Sequence, residues 1–123
     1  MILLGIALLG GLGAATRFVM DGLIRGRRRH VLPVATIVIN VSGSGLIGLL
    51  SGAVLYHSFS PTAYTLIAVG FCGGYTTFST AMMETVRLVQ GGDARRAVAN
   101  AIGSLLLALA AAALGVLVMW LLR

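Results

Sequence analysis

The sequence has no lysine, one cysteine, two prolines and only three acidic residues among its 123 positions. Each shortage excludes something. With Cys72 alone, no intrachain disulfide is possible and no cysteine cluster can hold a metal. Set inside an apolar run, Cys72 is expected to pack as a small hydrophobe. Charged residues make up 10% of the chain against 59% hydrophobic. A soluble domain of this size has a high surface-to-volume ratio and needs far more charge to cover it. The surplus apolar surface must therefore meet lipid or other subunits. No GxxxxGK[ST] string, paired histidines or Ser–His–Asp grouping is present, so the chain does not read as an enzyme. His30 and His57 fall at expected membrane interfaces and read as solvated rather than as ligands.

The formal charge of +6 is carried by nine arginines. They form short clusters between long apolar runs, a distribution that suits an anionic membrane leaflet better than a nucleic-acid groove. Crossing a hydrocarbon core of roughly 30 Å takes about 20 helical residues. Four segments are long and apolar enough: about 2–24, 31–56, 62–88 and 94–122. The first lacks a basic leader and is too long for a typical signal peptide, so it is expected to be a retained helix. The separators are short. Gly26 to His30 is an arginine cluster ahead of Pro33, Ser60 and Pro61 form a cap and first helical position, and Gly91, Gly92 and Asp93 interrupt the chain before the last helix. The expected fold is all-α, one transmembrane domain over residues 1–123.

Small residues recur at every fourth position: Ala7, Gly11 and Ala15; Ser44, Gly48 and Gly52; Gly70 and Gly74. In lipid such stripes let backbones approach. They serve packing within the chain or a seam between two chains. Four short helices enclose little space, so an aqueous pathway would need a second subunit.

Positive charge orients membrane proteins. Arg25, Arg27, Arg28 and Arg29 flank the first loop and Arg87, Arg95 and Arg96 the third, whereas only Arg123 lies on the other side. The bias of seven to one places the basic loops in the cytoplasm and both termini outside, in a cell or plasma membrane. A chain built to insert both ways would show near balance.

Ionisable groups inside spans are costly and mark function. Arg17 lies late in the first helix with Asp21 one turn on. It either pairs with Asp21 along the helix face or faces an aqueous vestibule as an anion-attracting cation. Glu84 lies three residues before Arg87, in reach of a helix-end ion pair, and leaves proton coupling open. Asn40 either glues two helices or donates its amide hydrogens to a passing anion. The third helix reads Gly70-Phe71-Cys72-Gly73-Gly74-Tyr75-Thr76-Thr77-Phe78-Ser79-Thr80. Its Gly73–Gly74 pair weakens the helix at mid-membrane, and four hydroxyls follow within five residues. A break there frees backbone groups that protein or an ion must satisfy. The other reading is a kink whose hydroxyls bond back to the preceding turn.

The string from Gly73 to Thr80, followed by Glu84, resembles the third-helix signature of the Fluc (CrcB) fluoride channels. Gly10-Gly11-Leu12-Gly13-Ala14 with Arg17-Phe18 looks like the first-helix motif of that family. Thr36, Asn40 and Gly43 after Pro33 look like the second. The likeness covers nearly the whole chain and is weakest in the fourth helix. It implies an antiparallel dimer with two pores and passive export of fluoride, which reduces fluoride toxicity in the cytoplasm. It further implies a structural sodium ion held by backbone carbonyls at the positions of Gly73 and Thr76. Phe78, Asn40 and Thr80 would line the pore, with Ser79 nearby, Ser104 on the fourth helix and Arg17 as the vestibule cation.

Two departures from the family pattern stand out. Ala81 occupies the place of a second pore-lining phenylalanine, and Asn100 stands about where many members carry a tyrosine. Together with the charge bias, they suggest one half of a heterodimer with an oppositely oriented homologue, a homodimer being the alternative. Two rival functions remain. A non-conducting structural subunit would tolerate Ala81. A small multidrug exporter would need a carboxylate deep in the first helix, where this chain has Arg17, which repels cations.

Overall fold

A computed structural model describes residues 1–27 and 32–123. The expected start of the second helix at Val31, together with Arg28, Arg29 and His30, lies outside the described residues. Among the described residues, four helices are long and apolar enough to cross a membrane. We label them α1 (Ile2–Arg27), α2 (Val34–Tyr56), α3 (Pro61–Gln90) and α4 (Ala94–Leu121).

Local chemistry sets the helix ends. Ser60 Oγ accepts from the Ala63 amide at 3.4 Å and Pro61 takes the first helical position of α3. Gly92 adopts φ +79°, which favours glycine, and Asp93 then caps α4 by accepting from the Arg96 amide at 3.0 Å. At the far ends of α2 and α4, the Arg123 guanidinium sits 4.8 Å from the Trp120 ring centroid and 5.9 Å from that of Tyr56. Such an aromatic–cation group suits a membrane interface.

Helix α3 is bent at mid-length. It runs as a π-helix over Thr65–Cys72 and as an α-helical turn over Gly73–Tyr75. Thr76 and Thr77 then extend, with φ/ψ of −77°/160° and −147°/118°, and the helix restarts at Phe78. The break is thus not at Gly73–Gly74, as the glycine pair suggests. Gly73 is helical, at −60°/−38°. The adjacent β-branched threonines favour extended backbone, and side chains satisfy it there.

The glycines serve close packing instead. A Cβ on Gly74 would run into the Gly10 carbonyl of α1, and one on Gly13 into the Phe71 carbonyl of α3. Between α2 and α4, a Cβ on Gly48 would strike the Ala112 backbone and one on Gly52 the Met119 side chain, at 2.6 Å. The stripes on α2 and α3 therefore pack within the chain. The stripe on α1 does not: Ala7, Gly11 and Ala15 are exposed, and a Cβ on Gly11 would meet nothing. The packed face of α1 carries Gly10 and Gly13. Buried residues include Ile39, Ala68, Tyr75 and Cys72, whose exposure is 0%, as expected of a packing cysteine.

Candidate functional site

The break in α3 leaves backbone groups that need partners, and α2 supplies them. The Thr77 amide donates to Asn40 Oδ1 at 2.7 Å, and Asn40 Nδ2 donates to the Thr77 carbonyl at 2.8 Å. Asn40 thus ties α2 to the break in α3. Thr77 Oγ1 caps the second limb, accepting from the Thr80 amide at 3.2 Å and donating to Thr80 Oγ1 at 3.0 Å. Tyr75 is fixed by stacking on Phe71, centroids 5.6 Å apart, and by a 3.0 Å hydrogen bond between its hydroxyl and Ser42. Gly43 leaves room for the Thr76 methyl.

These partners also decide which carbonyls are left over. A continuous helix would send the Thr77 amide to the Gly73 carbonyl and the Thr80 amide to that of Thr76. Asn40 and the Thr77 hydroxyl have taken those two donors. Thr76 Oγ1 bonds back to the Cys72 carbonyl at 2.8 Å, so hydroxyl back-bonding and a true break coexist.

Beside the break lies a cleft of about 200 Å³, large enough for several waters. Arg17, Asp21 and Arg25 line it from α1, Thr36 and Ile39 from α2, and Thr77 and Thr80 from α3. Its unpaired groups can donate. Arg17 Nε and Thr36 Oγ1 are buried and have no hydrogen-bond partner among the described residues. The Thr80 hydroxyl accepts from Thr77, which leaves its own hydrogen available. The N-terminus of the second limb of α3 adds its positive dipole end. An unpaired buried donor costs about 1–3 kcal/mol. A cluster of them suits an anion or water.

Of the two readings open to Arg17, the pair with Asp21 does not form. Asp21 instead binds Arg25, whose Nε lies 2.9 and 2.8 Å from its two carboxylate oxygens. Acid-before-base is the better order at this helical spacing, and a cation near a helix C-terminus is favoured. The expected Glu84–Arg87 pair is absent for a related reason. Arg25 Nη2 reaches Glu84 Oε1 at 2.7 Å and ties α1 to α3. The side chain of Glu84 is 11% exposed, and Oε2 is buried without a partner.

The structure thus brings together Arg17 and Thr80 in one cleft and sets Asn40 behind it on Thr77. It does not bring in the others. Phe78 is 77% exposed and Ser79 is also exposed, both on the outer surface. Gly73 is exposed and Thr76 half-buried. Ser104 donates to the Asn100 carbonyl at 2.5 Å on α4, outside the cleft lining. Asn100 is buried and donates to Thr85 at 2.8 Å, and Ala81 is buried too. His57, exposed, sets Nε2 2.9 Å from the Met119 carbonyl. Sequence reasoning did not assign Thr36, Thr77 or Arg25 to the site. Thr36 stands one turn before Asn40, a helical spacing that would have flagged it.

A model of the family described as CrcB-like protein, Camphor Resistance (CrcB), matches residues 4–116. A protein of Leifsonia xyli named fluoride-specific ion channel FluC 1 is 44% identical over 115 residues, 94% of this chain and 84% of the relative. One of Cutibacterium acnes named fluoride-specific ion channel FluC 2 is 43% identical over 116 residues, 94% of each. One of Thermus thermophilus named fluoride-specific ion channel FluC is 41% identical over 110 residues, 89% of this chain and 88% of the relative.

Proposed function

Since the chain belongs to the CrcB-like family, we propose that it is one subunit of a passive fluoride channel that lets fluoride leave the cytoplasm down its gradient. The observation that carries the reading is a cleft in which Arg17 Nε, Thr36 and Thr80 converge beside a broken helix, while the Asp21 carboxylate that also lines it is held by Arg25. A small anion that has shed water needs donors of this kind. The sequence carries no nucleotide-binding motif that would couple the flux to ATP. The basic loops face the cytoplasm.

One chain does not complete a pathway. Phe78 and the α1 stripe of Ala7, Gly11 and Ala15 face outward, as surfaces for a second subunit would. The subunits are antiparallel, so that Phe78, Ser79 and Ser104 would reach a pore wall made by both. Ring edges are electropositive and suit an anion. The seven-to-one arginine bias favours one fixed orientation of this chain and so a partner that is an oppositely inserted homologue.

A sodium ion between the subunits is part of the reading. The Gly73 and Thr76 carbonyls fit it: their helical donors are diverted, and carbonyl oxygens are hard ligands suited to a small hard cation. When bound, the ion would balance the partial negative charge of the freed carbonyls. A second reading, a non-conducting structural subunit, is favoured by buried Ala81, which gives this chain no second aromatic beside Phe78.

The test is fluoride-electrode efflux from liposomes, with chloride as control. The chain is purified alone and with a homologous partner. Fluoride efflux without chloride efflux is expected from at least one preparation, and silence from both would sink the reading.

A further inference from the structure

Asp21 lies one helical turn from both Arg17 and Arg25, so either arginine can claim it. Arg25 claims it, with Nε 2.9 and 2.8 Å from the two carboxylate oxygens. A second nitrogen of the same guanidinium holds Glu84, with Nη2 2.7 Å from Oε1. Asp21, Arg25 and Arg17 line one cleft, and Arg17 Nε is buried there without a partner. A buried cation one turn from a carboxylate would pair with it unless the carboxylate were held elsewhere. We infer that Arg25 is a positioning residue that keeps Arg17 unpaired and open to an anion, by occupying both Asp21 and Glu84.

The charge arithmetic supports this. Arg17 and Arg25 balance Asp21 and Glu84, and since Arg25 holds both carboxylates, the charge of Arg17 is left outside these ion pairs. Remove Arg25, and one cation faces two carboxylates. Asp21 then turns back to Arg17 and the cleft becomes net negative, which repels an anion. The guanidinium is what makes one side chain sufficient, because its fixed, separate N–H donors bind two carboxylates at once. A lysine ammonium lacks that geometry. Asp93 pairs with Arg96 at 2.7 Å and so does not compete for Arg25.

The inference rests on fluoride conduction, and the experiment separates the two. Efflux is measured in whichever assembly conducts fluoride, this chain alone or with its homologous partner. Arg25→Gln is expected to slow fluoride efflux about fivefold at 0.1 M salt and less at 1 M, where screening weakens the repulsion. Arg25→Lys should fall between Arg25→Gln and the unaltered chain. Arg25→Gln combined with Asp21→Asn and Glu84→Gln removes both captors of Arg17 and should recover most of the lost flux. Asp21→Asn alone should conduct at least as fast as the unaltered chain.

An Arg25→Gln channel as fast as the unaltered one overturns the inference, and so does a combined variant no faster than Arg25→Gln. A purely structural role for Arg25 predicts that second result. Should Arg25→Gln not assemble, Arg25→Lys and Asp21→Asn decide the matter, and a slow Asp21→Asn channel counts against it. If the unaltered chain conducts no fluoride in either assembly, the proposed function fails, and the inference with it.

Discussion

Asn40 and Thr77 exchange two hydrogen bonds across the break in α3, at 2.7 and 2.8 Å, so that one side chain does the work of a missing helical turn. Replacing Asn40 by alanine leaves the Thr77 amide unpaired and takes one donor from the Thr77 carbonyl. The expected cost is about 1–3 kcal/mol for the orphaned amide. Asn40→Asp should behave differently. It keeps the acceptor for the Thr77 amide but loses the donor and adds a negative charge behind the cleft. Thermal unfolding in detergent should show Asn40→Ala as the less stable of the two. Efflux should show Asn40→Asp slowed about tenfold even where the protein is intact.

The glycines divide into two classes that substitution can separate. Gly74→Ala and Gly48→Ala put a methyl group into the backbone of a neighbouring helix, at Gly10 and Ala112. Each should destabilise the folded chain by about 1–3 kcal/mol, the usual cost of overpacking. Gly11→Leu points into open space and should leave the subunit fold intact. If the α1 stripe is a subunit seam, that variant will shift the complex toward monomer in size-exclusion chromatography. An unshifted elution would assign the stripe to lipid.

Phe78 and Phe71 make a similar contrast. Phe78 is 77% exposed, and Phe71 stacks on Tyr75. Phe78→Ala should leave subunit stability within about 0.5 kcal/mol, as surface changes do. Phe71 is half-buried, so Phe71→Ala should cost more, about 2 kcal/mol, through its lost stacking and contacts. Fluoride efflux is expected to fall about tenfold for Phe78→Ala through the lost ring edge. Unchanged flux would favour the scaffold reading over the channel.

The proposed sodium site has a readout besides conduction. A cation that binds only the folded assembly stabilises it by about 2.7 kcal/mol at a hundredfold excess over its dissociation constant. The thermal midpoint should therefore rise with sodium and stay flat with a large organic cation at equal ionic strength. Thr76→Val removes the hydroxyl that bonds to Cys72 but keeps the backbone carbonyl. Its sodium dependence should persist, because the proposed ligand is main chain. A midpoint indifferent to sodium in both proteins would remove the ion from the account.

Much of this was legible in the sequence, and what was not has a physical reason. Apolar run lengths gave four helices, because hydrocarbon thickness dictates span length. The Gly–Gly pair pointed near the break but two residues early. Glycine removes a side chain without forbidding helix, and the decisive element was Asn40, thirty-seven residues away. Spacing left the pairing of Arg17 with Asp21 open because helical spacing is symmetric. Two arginines stood equally far from Asp21, and acid-before-base order settled the choice. The link from Arg25 to Glu84 joins α1 to α3 and left no periodic trace. Thr36 and Asn40 share one face of α2, and that signal was present but unused. The exposed positions of Phe78 and Ser79 are intelligible only if something outside the chain covers them.

The arginine count makes a claim about orientation that Cys72 makes easy to test. With seven arginines flanking the first and third loops and one at the far side, the second loop should face outward. Cys72 has 0% exposure, so it should be silent to a thiol reagent that cannot cross membranes. Ser58→Cys adds a near-isosteric thiol in the second loop, and Gln90→Cys places one at the exposed end of α3 beside the third loop. In intact cells Ser58→Cys should be labelled and Gln90→Cys protected until the membrane is opened. Labelling of both to a similar degree would mean that the chain inserts both ways. A homodimer would then suffice, and no oppositely inserted homologue would be needed. If Ser58→Cys alone reacts, every antiparallel assembly of this chain needs another chain to complete it. Coexpression with such a homologue should then raise fluoride efflux above that of the chain alone.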